Sequence, residues 1–429
     1  MGPEPQGVAA GSFTLWRRGT EVGTSSRRGP GPSRPVIPVG VVFSSSGSYG
    51  TVGEEMLHGA LLAIEEVNQC PEFDFTFAPK VANPAGDLDQ YRLLCEDMLR
   101  TQGVRHVVGC YTSSSRKEVI PVFEKLDALL WYPSHYEGFE SCNNVIYTGA
   151  APNQHIVPLI DYMLRNYGNR VYCIGSNYIW AWENNRIMRE IVLGCKGGVA
   201  AEKYLPVGST DIAHVIDEIA ETQPDFIFST LIGESSYAFL RAYSEAGRHN
   251  ALFDPAAIPV TSCNLSEPEL LAIGGQAALG HIASSVYFQS MDRDENRTFL
   301  SRFKARFGAD KVTSTDAEAS YIAAILLARA IHAAQSTEIE LVKQAVYGCE
   351  LAAPQGPVRI DSDNNHSYLT PSLGRSRGDG EFEIIWTADA AVKPDPYLVR
   401  FDIRQFFGDL NRDENRPMMA SRSGLRVIK

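Results

Sequence analysis

Residues 107–138, VVGCYTSSSRKEVIPVFEKLDALLWYPSHYEG, read as a strand, a hydroxyl-rich turn, a helix, a second strand and an aromatic loop. Val107 and Val108 before Gly109 form one short apolar run, and Ala128, Leu129, Leu130 and Trp131 form another, as strands buried on both faces require. Between them Lys117, Glu118, Glu124 and Lys125 alternate with Val119, Ile120, Val122, Phe123 and Leu126 at helical spacing. In an open α/β sheet, ligands bind in the crevice beyond the carboxyl ends of parallel strands. Both strand ends here deliver polar and aromatic side chains to one edge, which makes this stretch the candidate binding site.

The pattern extends in both directions. IPVGVVF from Ile37 is a strand, SSSGSYGTVG a glycine-rich turn, and EEMLHGALLAIEEVNQ a helix with Met56, Leu57, Ala60, Leu61 and Ile64 on one face. Gly47, Gly50 and Gly53 match neither G-x-G-x-x-G nor a P-loop, so a plain turn is the better reading. Alternating strands and helices imply a parallel sheet with right-handed crossovers. Near Gly149 and Pro152 the chain crosses to a second lobe, where strands again end in polar loops, at Ser176 to Tyr178 and at Ser229 and Thr230. The strand HIASSVYFQS recrosses, and a last return falls near Gly356, where PVRI and EFEIIW read as strands flanking a polar loop. The expected organisation is α/β in two lobes with a three-crossing hinge: 1–35 a disordered arm, 36–149 with 284–350 lobe 1, 150–283 with 351–400 lobe 2, and 401–429 a tail.

At 429 residues, two lobes fit the size at which one core stops growing. Lys and Arg number 39 against 51 Asp and Glu, and the resulting charge of −12 disfavours direct nucleic-acid binding. Runs such as YIAAILLARAI are shorter than the roughly 20 apolar residues that span a bilayer. The first 35 residues hold no apolar h-region, and the eight cysteines are scattered, so a cytoplasmic protein with reduced thiols is expected, with a periplasmic location as the alternative. No motif calls for a cofactor. GRSRG at Gly374 to Gly378 matches the esterase elbow G-x-S-x-G in the wrong context and reads as a hairpin loop. DSDNNHS from Asp361 lacks the glycine and closing Glu of a calcium loop, and no His/Cys cluster has zinc spacing.

Within the opening stretch, one of Ser113, Ser114 and Ser115 is expected to cap the helix, whose free N–H groups and a neighbouring hydroxyl then face a ligand oxygen. Tyr132 stands beside Pro133, Ser134, His135 and Tyr136, a density of polar-tipped groups that suits a small planar ligand. Tyr178 and Trp180 offer the same chemistry from the second lobe, with Thr230 at another strand end. Glu137 either anchors an ammonium group or braces its loop. Ser113 as a nucleophile would have His135 near it in sequence but no third group.

YTSSSRK, LLWYPSHYEG, YTGAAPNQ, GSNYIW and DNNHS resemble the urea and short-chain amide receptors of the branched-chain amino-acid binding-protein superfamily, over nearly everything from Ile37 to about Tyr397. DLDQYRLLCEDMLRTQGVRHVVGCY and KPDPYLV resemble the cytoplasmic amide-sensing regulator of the aliphatic amidase operon. TSSSRKEVIPVFEK, LLWYP and YTGAAPNQ equally resemble the urea-binding component of importers. The resemblance implies a type I periplasmic-binding-protein fold that closes on a ligand without catalysis. It implies a pocket at Tyr111, Ser113, Tyr132, Ser134, His135, Tyr178 and Trp180. Ser134 and His135 stand where the regulator has Thr and Pro, and Trp180 where it has Tyr, so acetamide itself does not carry over as the ligand.

The expected function is a sensor of urea or a short aliphatic amide, with Ser113 meeting the carbonyl oxygen, Tyr132 and Tyr178 covering the planar faces and Ser134 accepting from the NH2 group. In that branch the implied partner is an RNA-binding antitermination protein, and self-association stays open. An ABC importer component for urea or amides is the first alternative, and a branched-chain amino-acid binding protein is the second.

Overall fold

The computed structural model describes residues 34–47 and 49–412. The arm expected over 1–35 and the end of the expected tail therefore lie almost wholly outside the described residues.

The first lobe is built from β1 (Val36–Val42), α1 (Gly50–Gln69), β2 (Thr76–Ala82), α2 (Leu88–Thr101), β3 (His106–Gly109), α3 (Ser113–Leu126), β4 (Leu129–Tyr132) and β5 (Val145–Tyr147). Its strands pair in parallel in the order β2-β1-β3-β4-β5. The chain then enters the second lobe with α4 (Pro152–Asn166), β6 (Arg170–Ser176), α5 (Ile179–Gly194), β7 (Gly198–Leu205), α6 (Ala213–Thr222) and β8 (Phe226–Thr230). It continues with α7 (Glu234–Gly247), β9 (Val260–Ser262), α8 (Glu267–Ile273), α9 (Gly275–Ala278) and β10 (Ile282–Ser285). Returning to the first lobe, it forms α10 (Asp294–Phe307), α11 (Thr315–Ala334) and α12 (Ile339–Val346). A small antiparallel sheet of β11 (Glu350–Ala353), β12 (Gly356–Ile360) and β13 (Ser367–Tyr368) comes next. β14 (Ser372–Ser376), β15 (Phe382–Thr387) and α13 (Ile403–Arg412) end the described chain on the second lobe, whose sheet runs β15-β14-β10-β9-β8-β6-β7.

The apolar patterning explains this layout. β3 and β4 are buried along their whole length, because helices cover both faces of a parallel sheet. α11 is apolar and 20 residues long, which is enough in length and composition to cross a bilayer. Sixteen of its residues are instead buried against α1, α12 and the first sheet, so it is the core helix of that lobe. Gly59 on α1 makes this approach close: a Cβ there would lie 2.0 Å from the Ala317 carbonyl oxygen.

The pairing moves several expected boundaries. HIASSVYFQS does not recross, because Ile282–Ser285 is hydrogen-bonded to β9 and β14 in the second sheet and the crossing follows it. PVRI and EFEIIW are not partners. The first lies in β12, whose small sheet packs on α10 and α11, and the second pairs with β14, so the chain rejoins the second lobe at β14 instead of at residue 351. GRSRG therefore begins inside a strand and only its end turns. The expected tail folds back as α13, with Leu410 buried against the second lobe and Ile403 beside Gly194.

Two of the crossings are tied together. Tyr147 N–H donates to the Asn365 carbonyl at 2.9 Å and Ser367 Oγ donates to the Tyr147 carbonyl at 3.1 Å. The Tyr147 and His366 rings stack at 4.0 Å with a 3° interplanar angle. Burial lowers His366 to about 4, so it is neutral, and its Nε2 accepts from Tyr136 Oη at 2.6 Å while Nδ1 faces the Asn364 carbonyl at 2.6 Å.

Candidate functional site

In each sheet the strand order reverses once beside the cleft, between β1 and β3 in the first lobe and between β6 and β8 in the second. The loops leaving these strands diverge there and leave a crevice at their carboxyl ends. A cavity occupies it, lined by Tyr111, Thr112, Ser113, Ser134 and His135 from the first lobe and Tyr178, Trp180, Ile232 and Asn264 from the second. The cavity is narrow, with room for about one water molecule. A second space of the same size adjoins it past Tyr111 and Ile232, reaching Tyr49, Tyr237 and Glu269.

Six of the eight residues expected at the site line this cavity: Tyr111, Ser113, Ser134, His135, Tyr178 and Trp180. Tyr132 and Thr230 do not. Tyr132 is fully buried beneath it, its Oη donating to the Tyr111 carbonyl at 2.7 Å and its ring face covered by the Arg116 guanidinium at 4.7 Å. That face is closed to a planar ligand, and Tyr132 supports Tyr111 from behind. The hydroxyl of Thr230 turns into the second lobe, donating to the Ile174 carbonyl and lying 3.2 Å from Asn185 Oδ1.

The cap of α3 is Thr112 instead of a serine: its hydroxyl accepts from Ser115 N–H at 3.1 Å. Ser113 is left to donate to a Glu137 carboxylate oxygen, so it is not paired with His135 as a nucleophile would be. Glu137 braces its loop by pairing with Arg116 at 3.2 Å, and Arg116 also reaches Glu140 at 2.7 Å. Burial opposes the Arg116 charge, but Glu137, Tyr132 and Glu140 hold the guanidinium protonated. Burial likewise raises the Glu140 carboxyl, and Arg116 and Lys117 outweigh it, holding the group down at about 2. The positive charge beneath the cavity is thus neutralised before it reaches a ligand.

The sequence reading missed Asp316, Asn264, Ile232 and Glu269. Asp316, in the first turn of α11, accepts from Ser134 Oγ at 3.1 Å and lies 3.7 Å from His135 Nδ1. Its signal was S-T-D-A-E, a Ser314 cap followed by first-turn acids. Glu269 closes a capping box on Ser266 N–H at 3.0 Å, and burial pushes its carboxyl up to about 8, keeping it protonated at neutral pH. Tyr111 and Tyr178 are raised by burial and stay neutral. Among the described residues, no group of three or more His, Cys, Asp or Glu is arranged to hold a metal.

This architecture recurs in solved structures. A solute-binding protein of an ABC transporter from Rhodopseudomonas palustris HaA2, solved with p-hydroxybenzoic acid, superposes with a TM-score of 0.75 at 20% identity, covering 85% of this chain and 99% of that one. The branched-chain amino acid transporter substrate-binding protein LivJ of Streptococcus pneumoniae, in complex with isoleucine, gives 0.69 at 18% identity, covering 84% and 100%. In sequence, a Leu/Ile/Val-binding protein homolog of Brucella abortus is 22% identical over 338 residues, 77% of this chain and 85% of that protein. A Geobacillus stearothermophilus protein named limonene hydroxylase is 31% identical over 126 residues, and the match spans 29% of this chain and only 23% of that protein. Residues 37–402 match the periplasmic binding protein domain family, a span that takes in both lobes and all three crossings. The chain belongs to that family and is a ligand-binding protein, not an enzyme.

Proposed function

We propose that the chain is the solute-binding component of an ABC importer and that its lobes close on a small neutral amide, with urea and the short aliphatic amides as the simplest candidates. The observation that carries this reading is the lining of the cavity: hydroxyl, amide, imidazole and aromatic groups of both lobes, with no Lys or Arg among them. The carboxylate of a benzoate or a branched-chain amino acid would find the nearby guanidinium of Arg116 already paired. A ligand with few heavy atoms needs only a small parting of the lobes. Burying an amide unpaired costs roughly 2 to 7 kcal/mol, so a site that pairs every donor and acceptor selects strongly for it. A ligand that touches both lobes favours the closed state by its differential affinity. Delivery to a membrane permease, and with it a periplasmic location, is supported by the transport proteins among the similar structures.

A thermal-shift screen tests the ligand class, since binding to the native state alone raises the melting temperature with concentration. Urea, acetamide or butyramide is expected to raise it, and a rise with benzoates or leucine alone refutes the reading. The resemblance of YTSSSRK and LLWYPSHYEG to the amide regulator supports a second reading, a sensor acting on an antitermination partner. Fractionation of the native protein separates the two: periplasmic recovery defeats the sensor, and cytoplasmic recovery defeats the importer.

A further inference from the structure

Two polar groups in the wall of the cavity make no hydrogen bond within the protein. Trp180 is 3% exposed and its indole Nε1–H has no acceptor, and His135 is 9% exposed with its Nδ1 beside a carboxylate but outside hydrogen-bond reach of it. Their rings meet edge to face at 5.5 Å across the lobe boundary, with Tyr178 stacked on Trp180 at 6.2 Å. Leaving such groups unsatisfied is destabilising, so their presence in a ligand cleft needs a reason. The surroundings of His135 supply one. Asp316 Oδ1 stands 3.7 Å from Nδ1, and the same carboxylate is already fixed by Ser134 Oγ, its neighbour in the chain. A carboxylate beside one ring nitrogen places the proton there and leaves the other as an acceptor.

We propose that His135 and Trp180 read the two ends of a primary carboxamide: His135 Nε2, made an acceptor by Asp316 at Nδ1, takes a ligand N–H, and Trp180 Nε1–H donates to the ligand oxygen. This rests on the neutral-amide reading and extends it by naming the residues that impose it. Asp316 is the positioning residue. A benzoate fails the test at His135 because it has no N–H to offer, and a ketone of the same shape as the amide fails for the same reason.

The experiment compares acetamide with acetone, which keeps the carbonyl and the size but replaces NH2 by a methyl group, using calorimetry on the full chain. The wild type is expected to prefer acetamide by about 100-fold or more, as sites built to pair a ligand N–H do. His135→Phe is expected to bring the ratio to within about threefold, while Trp180→Phe weakens both ligands and leaves the ratio in place. Nitrogen NMR of the His135 ring in the unliganded wild type, which needs no variant to fold, is expected to show the Nδ1–H tautomer, shifting towards Nε2–H in Asp316→Asn. An undiminished ratio in His135→Phe, or an Nε2–H tautomer in the wild type, overturns the assignment alone. A wild type that binds no amide at all overturns the neutral-amide reading beneath it.

Discussion

Ser113 and Glu137, 24 residues apart in the chain, share a buried hydrogen bond at the point where α3 begins, and the same carboxylate faces the fully buried Arg116. The start of the binding helix, the aromatic loop and the cation beneath the site are therefore one unit. Removing one partner of a buried ion pair strands the other charge, at a cost of about 3 to 5 kcal/mol. Arg116→Met, which strands the buried Glu137, is expected to lose stability in that range in guanidinium chloride unfolding, while Glu137→Ala, which leaves Arg116 its Glu140 partner, loses less. A loss below about 1 kcal/mol for Arg116→Met contradicts the pairing.

Gly149 lies on the first crossing, where a Cβ would stand 2.1 Å from the Ser134 carbonyl carbon and oxygen. Backbone cannot yield there without moving the loop that carries Ser134 and His135. Gly149→Ala is expected to cost about 1 to 3 kcal/mol through overcrowding and to weaken ligand binding, as read by a melting curve and a titration of the same sample.

Burial pushes the carboxyls of Glu267, Glu269 and Glu318 up to about 8 from an ordinary 4.5. The native state thus keeps three protons that the unfolded chain releases, and their stabilisation is complete below about pH 4.5 and lost as pH rises towards 8. Glu140, held at about 2, acts in the opposite sense and weakens the fold only in strong acid. His106, His155, His281 and His366, lowered by burial to about 3 to 4, act against the glutamates up to about pH 6.5, so stability is expected to fall only between about pH 6.5 and 8. Glu269→Gln, which keeps an oxygen for the Ser266 N–H, is expected to remove up to about 1.4 kcal/mol per pH unit of that slope. An unchanged slope in this variant contradicts a protonated Glu269.

The two-lobed architecture was legible in the sequence because helical and strand periodicities alternate cleanly, and because buried parallel strands read as unbroken apolar runs such as VVG and LLWY. The cavity wall was legible where a strand runs straight into its polar loop, at Tyr111 to Ser113, Ser134 with His135, and Tyr178 with Trp180. What was hidden depends on side-chain direction and on distant pairing. Tyr132 and Thr230 sit at the right strand ends but turn inwards, and strand β14 was obscured by its small and charged residues, SLGRS. Asp316 reaches the site from 182 residues beyond Ser134, a proximity no local pattern encodes.

Thr230 marks the same limit experimentally. Its hydroxyl serves the interior of the second lobe, so Thr230→Val is expected to lower stability by about 1 to 3 kcal/mol and to leave ligand affinity within about twofold of wild type. A selective loss of affinity in this variant would return Thr230 to the cavity wall.

The most direct test of the account is a calorimetric titration of the full chain near pH 7 with urea, acetamide, isoleucine and 4-hydroxybenzoate in turn. The account predicts saturable one-site binding of urea or acetamide and none of the two carboxylates. Binding of isoleucine or 4-hydroxybenzoate with neither amide would contradict it.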